Sequence, residues 1–277
     1  MLKYITAFTI EALLSFFLTA CTVNLLKQCK LRTVNYRNLE MPYPIGIVYI
    51  PVLAASQFIY VSFFKGQYFY EYVFFSFAAV TIAFGGLLDD LAGQKEIKGF
   101  RQHFAAVFSG RVTTGILKAF LGFLMAVLSS AFISGSITEL LVNIFTVLFF
   151  INLQNLLDVR PGRCIKVFIL FSLVLFPFSL STFLLNIPFY FVFISTVVLL
   201  FYDVRERGML GDTGANLLGL VLGYYCIRLL PITYKIVIMI ILALINIISE
   251  KVSLSAVIER NKLLRYFDYL GRKAGRD

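Results

Sequence analysis

Apolar stretches about 20 residues long recur along almost the whole chain, and no other feature restricts its fold so tightly. Segments near 4–25, 45–64, 70–88, 113–133, 138–157, 165–181, 183–202, 213–230 and 233–252 each approach the length a helix needs to cross a bilayer. In hydrocarbon every backbone N–H and C=O must be satisfied within the segment, so runs of this length read as helices. Only 14% of the 277 residues are charged and mean hydropathy is +0.87. Soluble domains sit nearer a quarter charged, so lipid is the expected solvent. The fold expected is an all-α polytopic membrane protein of about nine transmembrane helices. Residues 1–252 would form the transmembrane domain and 253–277 an amphipathic tail.

The formal net charge of +10 could suggest nucleic acid, but the basic residues do not form one basic domain. They alternate between connections. Lys27, Lys30, Arg32 and Arg37 follow the first apolar run, and Lys95, Lys98, Arg101 and Arg111 follow the third. Arg160, Arg163 and Lys166 follow the fifth, Arg205 and Arg207 the seventh, and Lys251 through Arg276 the last. The intervening connections hold only Lys65, Arg228 and Lys235. This is the positive-inside pattern, which puts the N-terminus outside and the C-terminus in the cytoplasm of a bacterial-type plasma membrane. In the tail, Leu254, Val257, Ile258, Leu264 and Phe267 recur at helical spacing among charged residues. That suits an amphipathic helix on the inner leaflet, or one packed on the protein's own loops.

Cys21, Cys29, Cys164 and Cys226 show no paired spacing, so neither a disulfide nor a zinc site is expected. Leu18-Thr19-Ala20-Cys21 resembles a lipoprotein cleavage box, but cleavage there would put the basic segment that follows outside. Glu11 lies inside the first apolar run, where it marks an ion path, pairs with a polar neighbour such as Asn24, or sits near the outer interface.

Acidic residues are scarce, so their placement informs. Asp89 and Asp90 end the third helix, Asp158 the fifth, Asp203 the seventh, and Asp212 opens the eighth. The alternation brings all five to one membrane face. Asn152, Asn155 and Asp158 step by three, which on a helix makes one broad polar stripe. Carboxylates among Lys98, Arg101, Lys118, Arg163 and Arg205 suit a hard divalent ion that bridges carboxylate and phosphate oxygens, as Mg²⁺ does. Ordinary interfacial ion pairs are the alternative, and spacing leaves both open.

Gly85-Gly86-Leu87-Leu88-Asp89-Asp90, followed by Lys98-Gly99, resembles the Asp-Asp motif of the polyprenyl-phosphate N-acetylhexosamine-1-phosphate transferases. Gly110 with Thr114-Gly115-Ile116-Leu117-Lys118 is similar to the family's Gly…Thr-Gly-x-x-Lys stretch. Asn152-Leu153-Gln154-Asn155-Leu156-Leu157-Asp158 matches its Asn-x-x-Asn-x-x-Asp segment, and Met209 to Asn216 looks like its Met-Gly-Asp-x-Gly-Ser box. The resemblance implies transfer of a sugar 1-phosphate from a nucleotide sugar to a polyprenyl phosphate for cell-envelope polymers. On it, Asp212 would hold Mg²⁺, Asp89 or Asp90 would deprotonate or orient the attacking lipid phosphate, and Asp158 and Asn155 would complete the polar cleft. Lys98 and Lys118 would balance phosphate charge, with Asn152, Arg163 and Arg205 as further substrate contacts. The partners implied are the lipid, the nucleotide sugar and the membrane, with no nucleic acid; a homodimer is compatible.

The chain departs from the family pattern in three places. Val159-Arg160-Pro161-Gly162-Arg163 stands where the family continues Gly-x-Asp-Gly-Leu after the aspartate, and Asp203-Val204-Arg205-Glu206-Arg207 precedes the Gly-Asp box. The family's His-rich loop is missing, and the apolar pattern ends after about nine helices where the family has ten or more. The single histidine, His103, lies in a different loop and reads as an interfacial residue. Two other functions remain open at this level: a non-catalytic relative that binds the lipid or scaffolds other enzymes, and a transporter built around Glu11.

Overall fold

The computed structural model describes residues 2–93 and 113–272. Nine helices of 16 to 27 residues are formed among the described residues, one at each apolar run. α1 is Leu2–Gln28, α2 Tyr49–Phe64, α3 Phe69–Ala92, α4 Thr114–Ala131 and α5 Ile137–Leu157. α6 is Arg163–Ser179, α7 Ile187–Asp203, α8 Gly211–Leu229 and α9 Ile232–Lys251. The chain is thus an all-α, multi-pass membrane protein. Among the described residues, length and composition single out seven segments able to cross a bilayer. One of these, Arg163–Asp203, is 41 residues long and holds both α6 and α7, joined by the 3-10 turn Leu180–Asn186.

α8 is not among the seven, and its surroundings explain why. Its residues from Thr213 to Ile227 are buried without interruption, so it faces protein where the outer helices face lipid. It packs chiefly on α5 and α3, then on α6. Ala215, Gly219 and Gly223 repeat every fourth residue, and a Cβ on Gly223 would lie 2.7 Å from the Val147 Cα of α5. Small residues at this spacing let two helix backbones touch, which matters most where no hydrophobic force drives helices together in lipid. The outer helices present Phe16, Phe17, Phe58, Phe77, Phe120 and Leu170 outward, as a lipid-facing surface requires.

The connection between α1 and α2 holds a small element that apolar periodicity does not signal. β1 (Arg32–Val34) pairs antiparallel with β2 (Glu40–Pro42), Thr33 facing Met41. Asn35 closes the hairpin, its Oδ1 accepting from the N–H groups of Arg37 and Leu39 at 2.8 and 2.9 Å. The hairpin leads into the 3-10 turn Ile45–Val48, which docks on the start of α8: Ile45 N–H donates to Met209 O and Gly46 N–H to Leu210 O, both at 2.9 Å.

Glu11 is buried in the bundle, and its partners are hydroxyls. Oε1 accepts from Ser56 at 2.9 Å, Ser195 at 3.2 Å and Ser15 at 3.4 Å, which joins α1, α2 and α7. Asn24, the neighbour suggested by sequence, is exposed. The tail forms two short helices, α10 (Leu254–Arg260) and α11 (Lys262–Tyr269). Asn261 between them is extended, and its side chain caps α11 by accepting from Leu263 and Leu264 N–H.

Candidate active site

Asp89 and Asp90 sit on the last turn of α3 and take opposite surroundings. Asp90 turns toward the start of α8. Asp212 N–H donates to its Oδ1 at 2.9 Å, and Thr213 N–H and Oγ1 donate to its Oδ2 at 2.9 and 2.5 Å. The Tyr43 hydroxyl adds a fourth donor at 2.5 Å. The first N–H groups of a helix lack intrahelical acceptors and carry its positive dipole end, so a carboxylate there satisfies both. With its lone pairs so engaged, Asp90 is an anchor between α3 and α8.

That anchor demands close backbones. A Cβ on Gly86 would lie 2.5 Å from the Asp212 carbonyl oxygen, so only glycine fits one turn before Asp90. Gly211 has φ +77°, and a Cβ there would fall 2.8 Å from Asp90 Oδ2. Glycine is the residue that takes this left-handed conformation at no steric cost.

Asp89 faces α4. Its Oδ1 accepts from Thr114 Oγ1 at 2.7 Å, and its Oδ2 from Lys118 Nζ at 2.6 Å. The same Nζ is ion-paired with Asp212 of α8. One ammonium therefore bridges two carboxylates that are 123 residues apart, all three side chains being partly open to solvent. Thr113 caps α4 by accepting from Ile116 N–H, which fixes the helix start that carries Thr114 and Lys118.

Asp158 follows α5 and lies half-buried beside Asp203, Asp212 and Asp90. Burial and these three like charges push its carboxyl well above the ordinary range. Asp203, at the end of α7, accepts from Gly162 N–H at 2.6 Å. It ties the turn after Asp158 to the end of α7. Carboxylates from the ends of α3, α5 and α7 and the start of α8 thus gather in one place.

The remaining sequence candidates lie around this cluster at varying distance. The Asn155 Oδ1 is buried and has no hydrogen-bond partner among the described residues. Asn152 instead bonds with Asn246 of α9. Steps of three turn by 300°, so over six residues the stripe rotates by roughly a third of a turn and its first member leaves the site. Arg163 is buried and engaged by Asp268 and Ser255 of the tail. Arg205 is exposed, over the Phe201 ring. Lys98, with Arg101 and His103, lies outside the described residues. Tyr43 was not legible as a site residue, and Thr114 and Thr213, though they stand in the quoted motifs, are identified as partners only by the aspartates they contact across the fold. Among the described residues no group of three or more His, Cys, Asp or Glu side chains is arranged to hold a metal ion.

A profile of glycosyl transferase family 4 matches residues 72–230, more than half of the chain. The chain belongs to this family. Its membership places it among the polyprenyl-phosphate sugar-1-phosphate transferases, and a polyprenyl-phosphate acceptor is consistent with that family and with the apolar helices. The match takes in every carboxylate of the cluster, while the hairpin with Tyr43 and the tail with Asp268 lie outside it. No curated protein matches the chain.

Proposed function

We propose that this glycosyl transferase family 4 protein is an active transferase that moves a sugar 1-phosphate from a nucleotide sugar onto a polyprenyl phosphate. The lipid phosphate oxygen attacks the β-phosphorus, the bond from that phosphorus to the bridging oxygen breaks, and a nucleoside monophosphate leaves. The product is a lipid-linked sugar pyrophosphate for a cell-envelope polymer. On this reading the nine long helices are nine crossings with the N-terminus outside, supported by the alternation of basic connections, and the cluster would face the cytoplasm across a bacterial-type inner membrane.

The observation that carries this reading is the bridge of Lys118 between Asp89 and Asp212. A cation held between carboxylates of two helices is the arrangement in which phosphate oxygens can enter and exchange partners. Phosphoryl transfer needs mostly positioning and charge stabilisation, and Lys118 supplies both to a pyrophosphate that displaces one of its carboxylate partners. Asp89, held by Thr114 as well, is then free to take up the proton of the lipid phosphate or to orient it. Asp158 holds its proton more tightly than an ordinary carboxyl and can donate to a phosphate or sugar oxygen. Asp90 keeps α3 and α8 in register.

The donor set fits Mg²⁺, which typically takes one or two carboxylates and completes its shell with water and substrate phosphates. Asp212 would hold the ion, with water and substrate phosphates completing its shell. When bound, Mg²⁺ would neutralise charge on the pyrophosphate.

The test is release of nucleoside monophosphate from a panel of nucleotide sugars by membranes supplied with polyprenyl phosphate and Mg²⁺. Release that requires all three and is abolished by Asp212→Asn supports the proposal. If no sugar in the panel is consumed, the chain is a binding or scaffolding relative instead.

A further inference from the structure

The turn that follows Asp158 is held from both sides, and one side is the tail. Gly162 takes φ +73°, and its N–H is fixed by Asp203. On the other side Arg163 makes a two-point contact with Asp268, Nε to Oδ1 at 2.9 Å and Nη2 to Oδ2 at 2.8 Å. Both side chains are 3% exposed. Arg272 joins them, its Nη2 on Asp268 Oδ1 at 2.5 Å and its Nε on the Pro161 carbonyl at 3.0 Å. Lys166 donates to the Asp268 and Phe267 carbonyls at 2.7 and 3.1 Å.

A buried guanidinium without a counter-ion is unstable, so Arg163 cannot keep its place unless Asp268 keeps its own. Among the described residues Arg163 makes no ion pair with Asp158, and its counter-charge comes from Asp268, 105 residues away. Arg163 was a candidate substrate contact by sequence, yet its donors are spent on the tail. Its geometry serves the turn that begins at Asp158.

We propose that Asp268 is a positioning residue for the transfer site, acting through Arg163, and by way of Arg272 on the Pro161 carbonyl, on the turn that carries Asp158. The tail is thereby a strap that closes one wall of the site. This rests on the transferase reading for its kinetic consequence, but the strap itself is testable without turnover.

Cys164 provides the second readout. It is fully buried next to Arg163, its thiol donating to Gln154 Oε1 at 2.8 Å. Full-length protein with Cys21→Ser and Cys29→Ser, which removes the exposed thiols, is reconstituted in nanodiscs and labelled with a maleimide, and modification of Cys164 is read by peptide mass spectrometry separately from that of the other buried thiol, Cys226. Asp268→Asn is expected to speed Cys164 labelling tenfold or more, and Asp268→Glu to restore protection. In the transfer assay Asp268→Asn should lower kcat ~10- to 100-fold, as displacements near 1 Å do, with KM for the nucleotide sugar little changed. Asp268→Glu should recover most of the rate, and the exposed tail variant Lys262→Gln should match wild type in both readouts. If Asp268→Asn does not accumulate, Arg272→Met removes only the outer bonds and should give intermediate labelling and rate. Wild-type labelling in either variant, or faster labelling with unchanged kcat, overturns the proposal. If wild-type protein consumes no nucleotide sugar, the transferase reading falls while Cys164 labelling still decides the strap.

Discussion

Replacing Gly86 with alanine adds one methyl group at the contact on which the site depends. The new Cβ would stand 2.5 Å from the Asp212 carbonyl oxygen, 2.6 Å from its carbon and 2.7 Å from the Thr213 nitrogen. These are backbone atoms and cannot swing aside, so α3 and α8 must part by roughly 1 Å to reach van der Waals contact. The two 2.9 Å bonds from Asp212 and Thr213 N–H to Asp90 lengthen accordingly, and Asp89 moves away from Asp212. Overpacking of this kind costs about 1–3 kcal/mol in stability. A 1 Å misplacement of reacting groups costs on the order of 100-fold in rate, about 2.7 kcal/mol. Gly86→Ala should therefore lower both the thermal midpoint in detergent and the rate of nucleoside monophosphate release. Two controls calibrate it. At Gly85 the nearest atom is the Leu121 Cδ1 methyl at 3.1 Å, which can rotate away, so alanine should be far milder. At Gly122 the new Cβ meets only Ile82 Cδ1 at 3.9 Å, and alanine should gain about 0.5–1 kcal/mol of helix stability. Gly86→Ala behaving like Gly122→Ala in both midpoint and rate would refute the reasoning.

Lys118→Met leaves Asp89 and Asp212 facing one another without their shared cation, and transfer should fall ~100-fold or more, measured by product release at saturating Mg²⁺. Asp158→Asn should abolish or sharply reduce transfer yet raise thermal stability. Burial and its acidic neighbours raise the folded-state pKa of Asp158, so the folded protein binds that proton more readily and loses stability as pH climbs above the unfolded value. The stabilisation by Asn should therefore be largest near pH 8 and vanish in acid; a variant less stable at pH 8 contradicts it. Asp268 carries the opposite sign. Burial works against its ionisation, but Arg163, Arg272 and Lys166 hold the carboxyl below the ordinary range. Its contribution is present above the unfolded carboxylate pKa and is lost only as pH falls through the lowered folded value. Hydrogen exchange across residues 262–272 should stay slow down to about pH 4; opening near pH 6 would contradict the pairing.

Much of the architecture was legible because lipid is a strict solvent. Apolar runs such as 138–157 and 233–252 lie within a residue or so of α5 and α9. α8 was found as the apolar run 213–230 although it is the least lipid-like of the long helices, because burial in protein asks for apolar residues as lipid does. The strands β1 and β2 were missed, since three residues each give no period to detect. The break in the tail at Asn261 was also missed, as the apolar spacing continues across it.

The gathering of Asp89, Asp90, Asp158 and Asp212 was readable from charge alternation, because topology alone brings those helix ends to one face. The division of labour among them was not. Adjacent residues Asp89 and Asp90 point to different helices, and which of them meets Lys118 is decided by packing across α3, α4 and α8. Arg163 misled for the same reason: its partner Asp268 lies in a tail that its neighbours in sequence do not announce.

The most direct test follows the phosphorus. A nucleotide sugar labelled with ³²P at the β-position is incubated with the reconstituted protein, polyprenyl phosphate and Mg²⁺, and the organic phase is counted. Label is expected in the lipid with wild-type protein and absent with Asp212→Asn. Label that stays in the aqueous phase with wild-type protein, or that reaches the lipid equally well without the Asp212 carboxylate, would contradict transfer at this cluster.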